Sequence, residues 1–176
     1  MSYFIAICLA CSWLPIIVCR LASFAQSSSV FFSVAVDNDE AGENVNGTWY
    51  SVLVVRVTPN PKPGSDEINN AASDSWVGTS GYKKPDGTMQ NARAFIGSVR
   101  DKDGKTVDEL CIVGIPDALN IPGEYGPLEG TRTSFPMPPK GTVQRRLTHT
   151  ANTQYSGCKG VVRSSPDGTQ IAYIAK

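Results

Sequence analysis

The residues with chemical capacity in this chain are few and mostly isolated. Asp66 and Glu67 are adjacent carboxylates, which could serve as a glycosidase pair or bind a cation. Neighbouring side chains on a helix diverge, so stabilisation of a helix start is the better reading. Arg145 and Arg146 could bind an anion. On a strand they leave opposite faces, so one is expected at the rim of the core and the other in solvent. Trp49, Trp76 and Tyr125 could line a sugar-binding surface, since carbohydrate is often held by aromatic rings and loop carboxylates. Core packing suits Trp49 better, and Trp76 is the better functional candidate. The candidate ligand-binding set is therefore Asp66, Glu67, Trp76 and Arg145.

The other reactive types point away from catalysis. His149 is the only histidine. It cannot build a histidine-rich metal site alone and is expected to be exposed on a loop. Asp101, Asp103 and Gly104 share part of a calcium-loop pattern but lack the bidentate glutamate at its twelfth position, so they read as a hairpin turn. Ser65 and Ser156 have no nucleophile-elbow context. No catalytic residue, metal site or cofactor is expected, and enzyme activity is the less favoured reading.

Composition narrows the classes further. The 176 residues suit one ordinary domain and carry 16 basic and 16 acidic side chains. With no basic excess, nucleic-acid binding has no compositional support. A protein or a carbohydrate is the partner class left open. Residues 1–29 form an apolar leader. Its length lies between that of a signal-peptide core and a short membrane span. It lacks a cation before the apolar run, and Arg20 follows it. An exported protein would be periplasmic or secreted; a start foreign to the fold would leave it cytoplasmic. Three of the five cysteines (Cys8, Cys11, Cys19) fall in this leader. Cys111 and Cys158 are expected to be separate free thiols, with one disulfide open to them if the protein is exported.

The elements that must position these residues are strands. Residues 49–57 are almost continuously apolar, as a strand buried on both faces would be. Residues 92–99 and 109–115 read as a hairpin closed by Asp101-Lys102-Asp103-Gly104, and residues 141–148 as a fourth strand. Residues 58–92 read as one long insertion, with Ser65 capping a short helix over residues 66–72. A second, proline-rich insertion covers residues 116–139. Ser165-Pro166-Asp167-Gly168 has tight-turn chemistry between strand-like residues 160–163 and 170–174. The organisation expected is a leader at 1–29, a four-stranded unit with two insertions at 30–150, and the start of another unit at 151–176.

A strand ending in Arg146-Leu147-Thr148, then Ser165-Pro166-Asp167-Gly168 and Ile171-Ala172-Tyr173, resembles the repeat of TolB-like β-propellers. Further segments sharpen this. They are Thr58-Pro59-Asn60-Pro61-Lys62-Pro63-Gly64, Trp76-Val77-Gly78, Ala94-Phe95-Ile96-Gly97 and Pro138-Pro139-Lys140-Gly141-Thr142-Val143-Gln144-Arg145. From about Trp49 to the C-terminus the chain resembles the bacterial YidR family of TolB-like propellers. The resemblance implies an all-β fold of antiparallel four-stranded propeller blades, here about one and a half of them. A whole propeller needs four or more blades of about 40–50 residues each, so the chain is expected to be an internal piece. No activity comes with the resemblance. A non-catalytic binding or interaction module is the leading expectation, and part of a carbohydrate-active propeller enzyme the alternative.

Overall fold

The structure, a computed structural model, describes residues 31–35 and 49–176, with side chains from Val52 onward. The leader, the acidic loop at 37–46, the Asn46 sequon and the side chain of Trp49 lie outside the described residues. Those residues form an all-β fold with antiparallel sheets.

The centre is a four-stranded sheet of β3 (Ile68–Trp76), β6 (Ala92–Arg100), β7 (Thr106–Gly114) and β8 (Val143–Arg146), in that order. β6 and β7 pair along their whole length, from Ala92 opposite Gly114 to Arg100 opposite Thr106. Three two-stranded sheets accompany it. They are β1 (Phe31–Ala35) with β2 (Trp49–Leu53), β4 (Tyr82–Lys83) with β5 (Met89–Gln90), and β9 (Cys158–Ser164) with β10 (Ile171–Ala175).

Alternation along β6 and β7 sends apolar side chains to both faces. Phe95, Val99, Cys111 and Val113 face one way and pack with Val52, Val54, Val55 and Ile68. Ala92, Ala94, Ile96, Leu110 and Ile112 face the other way and meet Cys158 and Val162 of β9. One cover is therefore the chain just before β3, and the other is the β9–β10 hairpin.

Three expectations need correction. Residues 66–72 are not a helix but the approach to β3 and its first half. Ser65 does act locally: its Oγ accepts from Glu67 N at 3.2 Å and donates to the carbonyl of Lys62 at 2.7 Å. It thereby closes a turn rather than capping a helix. A helix so short is marginal in isolation, while pairing with β6 satisfies the backbone and buries Ile68 and Ala71. Residues 58–92 are accordingly not one insertion, since they hold β3, β4 and β5. The sheet's first strand is β3, not residues 49–57. β2 ends at Leu53 and pairs with β1, and the buried Val54 and Val55 follow it over the sheet face.

β3 carries one irregularity. Its register slips between Ala72 and Ser75, where Ser73 adopts φ 54°. A left-handed conformation costs a non-glycine residue about 1–2 kcal/mol. Asp74 beside it pairs with Arg93 of β6, whose guanidinium lies 4.7 Å from the centre of the Trp76 ring.

The turns follow their local chemistry. Asp101 Oδ1 accepts from the backbone N–H of Asp103 and Lys105 at 3.0 and 2.8 Å, so the β6–β7 turn consumes it. At the β9–β10 turn, Gly168 N donates to the carbonyl of Ser165 at 3.0 Å. The Ser165 hydroxyl, followed by the Thr169 amide, holds the Asp167 carboxyl below its usual range. This turn docks on the loop after β3. Thr79 N donates to the Pro166 carbonyl at 2.9 Å, and Gly78 N donates to Ser164 Oγ at 2.7 Å.

Cys111 and Cys158 are free thiols buried on opposite faces of the sheet. Burial, helped by the charge of Asp66, pushes the Cys111 thiol up to about 12, and burial also raises Cys158. Because the thiolate is the nucleophile, iodoacetamide at about pH 8 is expected to leave both unmodified in the folded chain and to alkylate both in guanidinium. Peptide mass mapping reads this directly, and fast native labelling of Cys111 would contradict the packing.

Candidate functional site

A cleft of about 700 Å³ opens where the chain before β3, the start of β8 and the second proline-rich loop meet. Arg56, Glu67, Tyr125, Lys140 and Gln144 line it, together with Asp66. Three segments distant in sequence supply these side chains, and specific bonds hold the segments together.

Gln144 of β8 is the clamp. Its Oε1 accepts from the backbone N–H of Arg56 at 3.0 Å, and its Nε2 donates to the carbonyls of Arg56 and Asp66, each at 3.4 Å. One carboxamide thus fixes both walls to the sheet. Glu67 works in the same sense. Its Oε2 accepts from Lys62 N at 2.8 Å, tying down the proline-rich turn, and its Oε1 lies 3.4 Å from Arg56 Nη1. Asp66 Oδ1 lies 3.6 Å from Arg146 Nε, whose side chain is nearly buried.

The loop from residue 116 to residue 142 forms the opposite wall. Lys140 N donates to the Ile121 carbonyl at 2.9 Å, which pins its two arms together. Tyr125 stands on this loop, 50 % exposed, and the Arg56 guanidinium covers its ring at 4.2 Å from the centre. Glu124, through a hydrogen bond and its charge, holds the Tyr125 phenol above its usual range.

The candidates read from the sequence separate. Asp66 and Glu67 stand side by side in the cleft. Trp76 sits at the other end of β3, 44 % exposed and stacked on Arg93. Arg145 is exposed on the face of β8 opposite Gln144 and Arg146, 6.0 Å from the ring of Tyr82. The alternation expected for the arginine pair is thus present, with Arg146 at the core rim and Arg145 in solvent. His149 is exposed beyond β8. Among the described residues no three His, Cys, Asp or Glu side chains converge as metal ligands. Sequence reasoning passed over Arg56 and Gln144. A cation ending the apolar run of residues 52–55 was the available sign for Arg56, and none existed for Gln144.

Comparison with known proteins bears on this chain at one point. Over 138 aligned residues it is 42 % identical to the uncharacterized protein YidR of Escherichia coli K12. Over that span the chain is similar to YidR. The alignment takes in 74 % of this chain but spans only 30 % of the YidR protein's length. No protein-family profile matches the chain, and no solved structure matches it significantly.

Proposed function

We propose that the described region contains a blade of a TolB-like β-propeller and acts as a non-catalytic binding module, with the Arg56–Tyr125 cleft as its site. The blade reading draws on the sheet itself. Its four strands follow one another as an antiparallel meander, interrupted by the small β4–β5 hairpin and by the loop of residues 116–142, and β6 and β7 are buried on both faces. Propeller blades are four-stranded sheets arranged radially, each packed between neighbours.

The observation that carries the binding reading is the state of the charges in the cleft. Arg56 is engaged by Glu67, and Asp66 by Arg146, while Glu67 also accepts from the backbone of Lys62. Groups tied to one another in this way shape and stiffen a receptor. The adjacent carboxylates favour the second reading, a carbohydrate-active enzyme, but each is committed to a structural partner.

The test is a thermal-shift screen of the full chain. The library holds neutral oligosaccharides, uronic acids, amino acids and short peptides. Ligands that stabilise the protein are then incubated with it and recovered for chromatography. A stabilising ligand recovered chemically intact supports the binding module. Recovery of cleaved or eliminated product would replace it with the enzyme reading.

A further inference from the structure

The cleft's chemistry narrows its ligand, on the reading that it is a binding site. We infer that it takes a neutral saccharide, with Tyr125 as the stacking platform and the carboxylates of Asp66, Glu67 and Glu124 as acceptors for hydroxyl groups. Three observations lead there.

The first is the charge balance. Asp66, Glu67 and Glu124 face Arg56, Lys140 and the Arg146 that pairs with Asp66. These cancel, so the cleft offers no field to attract an ionic ligand. The site's zero net charge gives a charged ligand nothing to offset the cost of its own desolvation.

The second is unused acceptor capacity. An ionised carboxylate has about four lone-pair sites. Glu67 uses its two oxygens on Lys62 N and Arg56 Nη1, and Asp66 meets Arg146 through one oxygen. A ligand that completes these sets must be rich in donors yet uncharged, as a polyol is.

The third is Tyr125. Arg56 occupies one ring face, and half of the residue is still open to solvent. An aromatic face beside hydroxyl acceptors matches a pyranose ring, whose C–H face is apolar and whose rim carries hydroxyls. Pro122 and Pro139, bridged to each other behind it, keep the loop that carries Tyr125 in place.

Calorimetric titration of the full chain with maltotriose, cellotriose, chitotriose and trigalacturonate tests this. At least one of the three neutral sugars is expected to bind. Tyr125→Ala is expected to weaken it by about tenfold or more, the usual scale for truncating an anchoring aromatic, and Tyr125→Phe by less than about threefold. The phenylalanine variant guards against a folding defect, since it keeps the ring in the same loop. Binding of trigalacturonate alone, or neutral-sugar binding indifferent to Tyr125→Ala, would overturn the inference. If no sugar binds but another member of the screening library does, the saccharide assignment fails and the binding module stands. If nothing in that library binds, both fail.

Discussion

Replacing Gly168 with alanine is expected to detach the β9–β10 hairpin from the four-stranded sheet. Gly168 holds φ 71°, and a Cβ there would sit 2.2 Å from the carbonyl oxygen of Gly81. That oxygen belongs to backbone, so no side-chain rotation relieves the overlap. Gly78 across the contact is equally confined, with a Cβ position 2.6 Å from the same oxygen. The left-handed conformation alone costs alanine about 1–2 kcal/mol. Separating the loops also removes the bonds from Thr79 N to Pro166 and from Gly78 N to Ser164, each worth a net of about 0.5–1.5 kcal/mol. The sum is about 2–5 kcal/mol. Gly104→Ala is the control. Its φ is 80°, but its Cβ would meet nothing within 4 Å, so it carries the conformational term without the clash. Urea unfolding of both variants gives the difference. Hydrogen exchange should show the amides of Val162 and Ile171 losing protection in Gly168→Ala alone. Equal losses in the two variants would mean that the docked turn contributes nothing.

Glu109→Ala is expected to cost about 3 kcal/mol or more, since each buried donor left without an acceptor costs about 1–3 kcal/mol. Glu109 is fully buried, opposite Gly97 in the register of β6 and β7. Its carboxylate accepts from Thr148 Oγ1 at 2.5 Å, Thr150 N at 2.6 Å and Thr150 Oγ1 at 3.1 Å. The Thr150 hydroxyl in turn accepts from Gly157 N at 2.7 Å, one residue before β9 begins. One buried side chain thus ties β7 to the segment that leads into the hairpin. Alanine leaves three donors without an acceptor inside the fold. Glutamine should cost only about 1 kcal/mol, close to the net worth of one hydrogen bond. Its oxygen can serve both donors of Thr150, and the Thr148 hydroxyl can turn to accept from its amide. Denaturant midpoints separate the cases, and a Glu109→Ala variant within about 1 kcal/mol of the parent would remove Glu109 as the tie.

What could be read from the sequence was what local chemistry decides. The turns at Asp101–Gly104 and Ser165–Gly168 announce themselves because proline, aspartate and glycine each satisfy a need within four residues. β6 and β7 announce themselves through uninterrupted apolar runs. β3 does not, because its polar Asn69-Asn70 and Ser73-Asp74-Ser75 hide a strand whose backbone is satisfied only by β6. The cleft was half legible. Asp66 and Glu67 stand out by charge, but the bond from Arg56 N to Gln144 Oε1 spans 88 positions, and no spacing in the sequence encodes it. The arginine pair shows the same boundary. Strand alternation separates Arg145 from Arg146, yet which of them reaches Asp66 depends on the register of β8 against β7, where Cys111 lies opposite Arg146.

A sheet covered on both sides leaves evolution little room. In β6, Ala92, Ala94, Phe95, Ile96, Gly97 and Val99 are all buried, and only Arg93, Ser98 and Arg100 are partly exposed. Substitutions are better tolerated at the periphery, where the loop of residues 116–142 is the longest stretch between strands among the described residues. That loop carries Tyr125 and Lys140, and its arms are fixed by backbone bonds that do not depend on side-chain identity. Substitutions in this loop can therefore reshape the cleft, residue by residue, while the scaffold beneath it stays the same.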